Sequence, residues 1–217
     1  MRHRHRRVGH RAIVTVCVAT LGLAACGGPG APKQTERPLT IDEATLLASV
    51  QYDNYQDRGA AFQVATAFIV TGDTLNLQGV VDWERHVGYA IATAKGAESG
   101  ITELYWTDNV VLERRPAADP ILQSMGYTSV KYFARPPDAT KRLLDRALAI
   151  VLSLASTERD NPQLIQQKEG SAFLRPDTLR DTTTNVFRYG LRTIYWLDNS
   201  GVMLRFEGNA TGGGVPT

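Results

Sequence analysis

Thr193-Ile-Tyr-Trp-Leu-Asp-Asn-Ser-Gly-Val-Met-Leu-Arg-Phe-Glu207 reads as two strands around a tight turn. Aromatic and β-branched residues fill Thr193–Trp196, and Asp198-Asn-Ser-Gly201 supplies turn chemistry. Val202, Leu204 and Phe206 then alternate with Met203, Arg205 and Glu207. A period of two sends the first three to a buried face and the other three to a wet one.

The same period recurs upstream. Val186-Phe-Arg188 is a further short strand. Nearer the start, Phe62, Val64, Thr66 and Phe68 share one face of a strand, as do Leu75, Leu77, Gly79, Val81 and Trp83 on the next. Glu84-Arg-His-Val-Gly88 turns the chain into Tyr89-Ala-Ile-Ala-Thr93, and Thr107-Asp-Asn109 joins Thr102–Trp106 to Val110–Arg114. Gaps this short make antiparallel hairpins rather than crossovers. Three helices interrupt the pattern. Thr40-Ile-Asp-Glu43 has the form of a capping box and opens a helix to about Gln56. Pro137-Asp138 opens a longer one to Ala155, with Leu143, Leu144, Ala147, Ile150, Val151 and Leu154 on one broad face. Asn161-Pro162 starts a third, which ends near Gly170.

This order predicts an α+β domain with a curved antiparallel sheet and helices on one face. The closing hairpin, together with Gln78-Gly-Val-Val-Asp-Trp83 and Tyr105-Trp-Thr-Asp-Asn-Val110, resembles the LolA-like and LppX/LprG-like lipoproteins over roughly residues 40–207. The resemblance implies an unclosed half-barrel with helices packed on its concave face. It also implies carriage of a lipid or lipoprotein in the apolar space between sheet and helices, with no catalytic motif.

The first 25 residues read as an export address. Met1–Arg11 holds five arginines and no acid, and Ala12–Ala25 is a largely apolar run of fourteen. A membrane-spanning helix needs about 20 apolar residues, so the run has the length of a signal peptide. Leu23-Ala24-Ala25-Cys26 looks like a lipobox. A lipobox implies diacylglycerol on the Cys26 sulfur, cleavage just before that residue, and acylation of the palmitate type. The expected organisation is a signal peptide (1–25), lipidated Cys26 with a Gly- and Pro-rich tether (26–38), a folded domain (39–207) and a loose tail (208–217). The expected location is the extracytoplasmic face of the cell membrane, with the membrane itself as a partner through Cys26.

Cleavage changes the chemistry on offer. Five of the 24 Lys and Arg residues leave with the leader and none of the 22 Asp and Glu does, so the mature chain carries a net charge of −3. That excludes a sequence-wide basic footprint for nucleic acid. Of the four histidines only His86 remains, and Cys26 is the one mature cysteine. A disulfide within the chain and a Cys/His zinc site are both excluded. His86 lies in a turn with Asp82 and Glu84 close in sequence, and no Gly-x-Ser-x-Gly elbow accompanies it. Asp82, Glu84, Glu103 and Glu113 could pair as catalytic carboxylates, but exposed acids on a sheet are the simpler reading. Neither an EF-hand spacing nor a phosphate-cradling glycine loop is present. These readings point to a protein that is not an enzyme and needs no cofactor or metal.

The apolar strand phases supply the candidate ligand lining: Phe62, Val64, Phe68, Leu77, Val81, Ile91, Leu104, Trp106, Ile194, Trp196 and Leu204, covered by Leu148 of the long helix. Trp83 and Phe206 fall in the same phase. Alternation suits a dry core equally well. Two functions follow. One is a membrane-anchored lipoprotein that binds or carries a lipid or other apolar ligand. The other is a non-enzymatic interaction module that docks a partner cell-envelope protein through a sheet face or edge.

Overall fold

The computed structural model describes residues 13–18, 36–67, 74–95, 100–115, 120–126, 129 and 131–208. In chain order the elements are β1 (Ile13–Val18), α1 (Ile41–Gln56), β2 (Gly59–Ala67), β3 (Thr74–Asp82), β4 (Val87–Lys95), β5 (Gly100–Trp106) and β6 (Val111–Arg115). They continue with α2 (Pro120–Ser124), β7 (Lys131–Arg135), α3 (Leu143–Ser153), α4 (Pro162–Gln167), β8 (Ala172–Leu179), β9 (Thr182–Tyr189), β10 (Thr193–Asp198) and β11 (Met203–Glu207). Strands β2 to β7 form one antiparallel meander and β8 to β11 a second, within an open sheet ordered β7-β6-β5-β4-β3-β2-β1-β11-β10-β9-β8. The expected α+β class with an open, mostly antiparallel sheet is what the chain adopts.

β1 lies between the two meanders and runs parallel to both neighbours, with Val16 opposite Val64 on one side and Phe206 on the other. Its six residues belong to the segment read above as the apolar part of the leader. Cys26 and Phe68 lie outside the described residues.

The helices start where side chains make them start. Thr40 accepts from the Glu43 N–H and Glu43 accepts from the Thr40 N–H, completing the capping box, and Arg37 clamps the same carboxylate at 2.6 and 2.8 Å. Asn161 caps α4 by accepting from the N–H groups of Gln163 and Leu164. α3 begins later than Pro137-Asp138 suggests. The Asp138 carboxylate takes the N–H groups of Thr140 and Lys141, which holds a turn there and defers the helix to Leu143.

α1 and α3 join the strands in one core cluster, which includes Ala44, Leu47, Val50, Leu148, Val151, Leu77, Leu104 and Leu197. The Trp83 indole N–H donates to the Val151 carbonyl at 2.9 Å and ties the β3–β4 turn to α3. Trp83→Phe keeps most of the buried ring and loses that bond. Urea unfolding should show a cost of about 1 kcal/mol.

Four expected lining residues take other positions. Ile91 is 45% exposed on the opposite face, because Gly88, Ala90 and Ala92 hold the inward phase of β4. Gly88 fixes that phase: it sits opposite Trp106, and a Cβ there would stand 2.1 Å from the indole ring. In β10, Tyr195 and Leu197 enter the core cluster, which sends Ile194 and Trp196 to the other face. Trp196 is still buried: its N–H donates to Asp177 at 3.0 Å and the Arg205 guanidinium lies 4.5 Å from its ring. Leu204 is half-buried, as the extra residue of a bulge. Trp196 pairs with Arg205 and Leu197 with Met203, so Leu204 between them has no partner. The bulge puts Met203 and Phe206 in the core and leaves Val202 exposed, against the strict alternation expected.

Besides β1, read above as part of a leader, two strands were not legible in the sequence, β7 and β8, and both are sheet edges. β8 even contains Pro176, which an edge strand tolerates because one side of it needs no N–H.

Candidate functional site

The remaining lining residues are core. Phe62, Val64, Leu77, Val81, Leu104, Trp106 and Leu148 each expose only 0–4% of their surface. Among the described residues, so little of their surface stays open that packing against neighbours takes up nearly all of it. Phe62 meets Trp106 edge to face at 5.9 Å, and Leu104 is wholly covered.

A depression of about 300 Å3 lies elsewhere, at the end of the sheet where β2 begins. The end of α1 (Asp53, Asn54, Gln56, Asp57), Gly59, Ala60, Trp83 and the turn Ser200–Val202 line it. It is open and rimmed by carboxylates, one of which, Asp53, lies 3.7 Å from Arg159. Such a lining suits water and cations rather than an acyl chain.

The candidate carboxylates are each engaged by a cation. Asp82 holds Arg85 at 2.7 Å, Glu84 lies 3.8 Å from Arg58, Glu103 lies 3.5 Å from Arg114, and Glu113 holds Arg135 at 2.6 Å. The backbone N–H of Arg85, and then its guanidinium, hold the Asp82 carboxyl below its ordinary value. His86 adopts a left-handed backbone (φ 51°) in its turn, and its Nδ1 lies 3.1 Å from Asp108 with both side chains more than half exposed. Among the described residues no group of three or more His, Cys, Asp or Glu side chains could hold a metal ion, and no helix is long and apolar enough to cross a membrane.

A different surface stands out on the outer face of the first meander. Register places Val80, Tyr89, Tyr105 and Leu112 in one row across β3 to β6. Gln78, Ile91, Glu103, Arg114 and Tyr132 form the neighbouring row. Val80, Ile91, Tyr105 and Tyr132 are all exposed. The rings of Tyr89 and Tyr105 are 4.9 Å apart, and those of Tyr105 and Tyr132 6.0 Å. The hydroxyls of Tyr105 and Tyr132 donate to Glu103 at 3.4 and 3.2 Å. Desolvation by neighbouring side chains, followed by the Glu103 charge and its hydrogen bond, holds the Tyr89 and Tyr132 phenols above their ordinary range. The result is a flat apolar and aromatic stripe with one Glu–Arg pair set into it.

Sequence reading placed Ile91 in the interior and passed over this stripe. The signal was present in the alternation: if Gly88, Ala90 and Ala92 face in, then Tyr89 and Ile91 face out.

No protein-family model, no curated protein and no solved structure matches this chain.

Proposed function

We propose that this chain is a lipid-anchored, extracytoplasmic interaction module that docks a partner cell-envelope protein on the outer face of its first meander. The carrying observation is the exposed stripe of Val80, Ile91, Tyr105 and Tyr132, on strands that do not pair with β1. Exposed apolar and aromatic side chains gathered on one face mark an interaction surface, and tyrosines offer large contact area at low entropy cost. Glu103 and Arg114 within the stripe supply register and charge selectivity. The lipobox at Cys26 and the layout that resembles the LolA-like and LppX/LprG-like lipoproteins support the anchoring part of this reading.

Lipid carriage, the other expectation, would place acyl chains between the sheet and the helices on its concave side. That requires α3 to leave the sheet. The Trp83–Val151 hydrogen bond would break, and Leu148, Val151 and Leu152 would each lose roughly 1.5–3 kcal/mol of burial. The packing therefore favours docking.

The test is photo-crosslinking in the producing cell, with a reactive side chain at Tyr105 or Ile91 and a control at Thr183 on the second meander. A discrete adduct from the first two sites, lost in Tyr132→Ala/Val80→Ser with an unchanged melting temperature, is the expected result. Stoichiometric lipid extracted from the purified protein, with no adduct from the stripe, would reverse the choice in favour of carriage.

A further inference from the structure

The two most exposed large apolar side chains among the described residues are Leu191, at 72%, and Leu164, at 66%. They come from different elements, the β9–β10 turn and α4, and Lys168, four residues after Leu164, reaches the turn at one end of the domain. Leu164 lies one helical turn before Lys168. The Lys168 ammonium sits 4.0 Å from the centre of the Tyr189 ring, and its stem passes beside Gly190. Leu191 follows directly and lies against Gly170.

The tether arrives at the same end. Glu36 pairs with Arg188, whose Nε donates to the Gly170 carbonyl at 2.6 Å. Arg37 pairs with Phe173 through the backbone, and Leu39 accepts from Gln166 of α4. Nine residues, 27–35, separate this point from Cys26. Fully extended they reach about 30 Å. A lipid on Cys26 therefore keeps this end of the domain near the bilayer surface at a high effective concentration, so that even a weak contact is populated.

Charge is distributed to match. The end that receives the tether carries Lys168, Arg188 and Arg192 beside Glu36 and Glu169. The opposite end is formed by the β3–β4, β5–β6 and β10–β11 turns and the end of α1. It gathers Asp53, Asp57, Asp82, Glu84, Asp108 and Asp198 against Arg58, Arg85 and Arg159, an excess of three acids. An anionic surface disfavours that end relative to the first, where Lys168, Arg188 and Arg192 outnumber Glu36 and Glu169.

We propose that the domain rests on the lipid bilayer through Leu164 and Leu191, with Lys168 and Arg192 at headgroup level, so that the sheet stands away from the membrane. This rests on the reading of Cys26 as the lipidated residue. Exposed leucines beside basic residues are the chemistry of an interfacial contact, and lysine stems let charge stay in water while the neighbouring leucines enter the acyl boundary.

The test uses the lipidated protein as purified from membranes and reconstituted into vesicles of phosphatidylcholine and phosphatidylglycerol. On this reading Cys17 leaves with the leader and Cys26 is acylated, so an introduced cysteine is the sole free thiol. Leu164→Cys, Leu191→Cys and, at the far end, Asn109→Cys each receive a polarity-sensitive fluorophore. The expected result is a blue shift and quenching by nitroxide-bearing lipid at 164 and 191, with neither at 109. Equal quenching at all three sites, or at none, in protein that floats with the vesicles overturns the resting contact and leaves the anchor intact. Protein whose mass shows no acyl chain, and which fails to float, overturns the anchor and the contact with it.

Discussion

Trp106→Ala should cost about 3–5 kcal/mol in urea unfolding, the range for removing a large buried aromatic side chain from a core. The ring is 2% exposed, meets Phe62 edge to face, and lies directly over Gly88 of the adjacent strand. Nothing near it can collapse into the space, because Gly88 offers no side chain and the backbone there is held by β-ladder bonds on both sides. Trp106→Phe should be far milder. The indole N–H is buried without an acceptor among the described residues, so no hydrogen bond is lost with it. A cost below about 1.5 kcal/mol is expected for this closer swap in volume. Gly88→Ala approaches the same contact from the other strand and should cost about 1–3 kcal/mol by overpacking. In the double variant Gly88→Ala/Trp106→Phe the two effects should fall short of their sum, since each relieves the other. Strict additivity would mean that the Gly88–Trp106 contact does not set the phase of β4.

Asp145→Ala should cost about 3 kcal/mol. The carboxylate is 1% exposed, receives both Arg135 N–H groups at 2.6 Å and the Asp138 N–H at 2.6 Å, and so ties β7 to the start of α3. Removing one partner of a buried pair leaves a charge with no counterpart, at about 3–5 kcal/mol. The lower figure applies because Glu113 still holds the Arg135 Nε at 2.6 Å. Burial pushes the Asp145 carboxyl up. The hydrogen bonds from Arg135 and the Asp138 N–H, with the charges of Arg135 and Arg142, outweigh that and hold it below its ordinary value. A depressed folded-state pKa means the contribution is complete above the unfolded carboxyl value, near 3.9, and is lost as pH falls through the folded value. The difference between wild type and Asp145→Ala should therefore be full at pH 7 and shrink in strong acid. Each kcal/mol should shift the melting temperature by about 2–4 °C in a domain of this size. A difference that stays constant down to pH 2 would mean that the Asp145 carboxyl titrates alike in the folded and unfolded chain.

The parts of the fold that the sequence disclosed are those with a strong local code. The Thr40–Glu43 capping box, the Asn161 cap and the turns at Glu84–His86 and Asp198–Gly201 all appear where their residues place them. The edges did not declare themselves. An edge strand need not alternate cleanly, and in β8 the run Arg175-Pro176-Asp177 reads as a turn until β9 pairs with it. The candidate site was legible only in part for a related reason. Alternation gives two phases, and hydrophobicity alone chose the wrong one in β4, where Ile91 outweighs two alanines and a glycine on any apolar scale. The choice was made by the Trp106 ring across the strand, a tertiary fact. In β11 the bulge at Leu204 broke the count, and a single sequence carries no mark of a bulge.

If the chain is exported as its first 25 residues suggest, the position of β1 bears on the order of events in the life of the precursor. Its six residues take up hydrogen bonds on both sides, one neighbour being the first strand after α1 and the other the last strand of the domain. A precursor that completed this sheet in the cytoplasm would sequester the apolar stretch that the translocation machinery has to grip. On the export reading, the chain must therefore be threaded outward before β11 is synthesised or while it is still held unfolded. A route that moves unfolded chains meets that requirement, and one that moves finished proteins does not. On the same reading, removal of the leader would leave β2 and β11 facing each other across the space of a single strand, and maturation would end only when that seam closed.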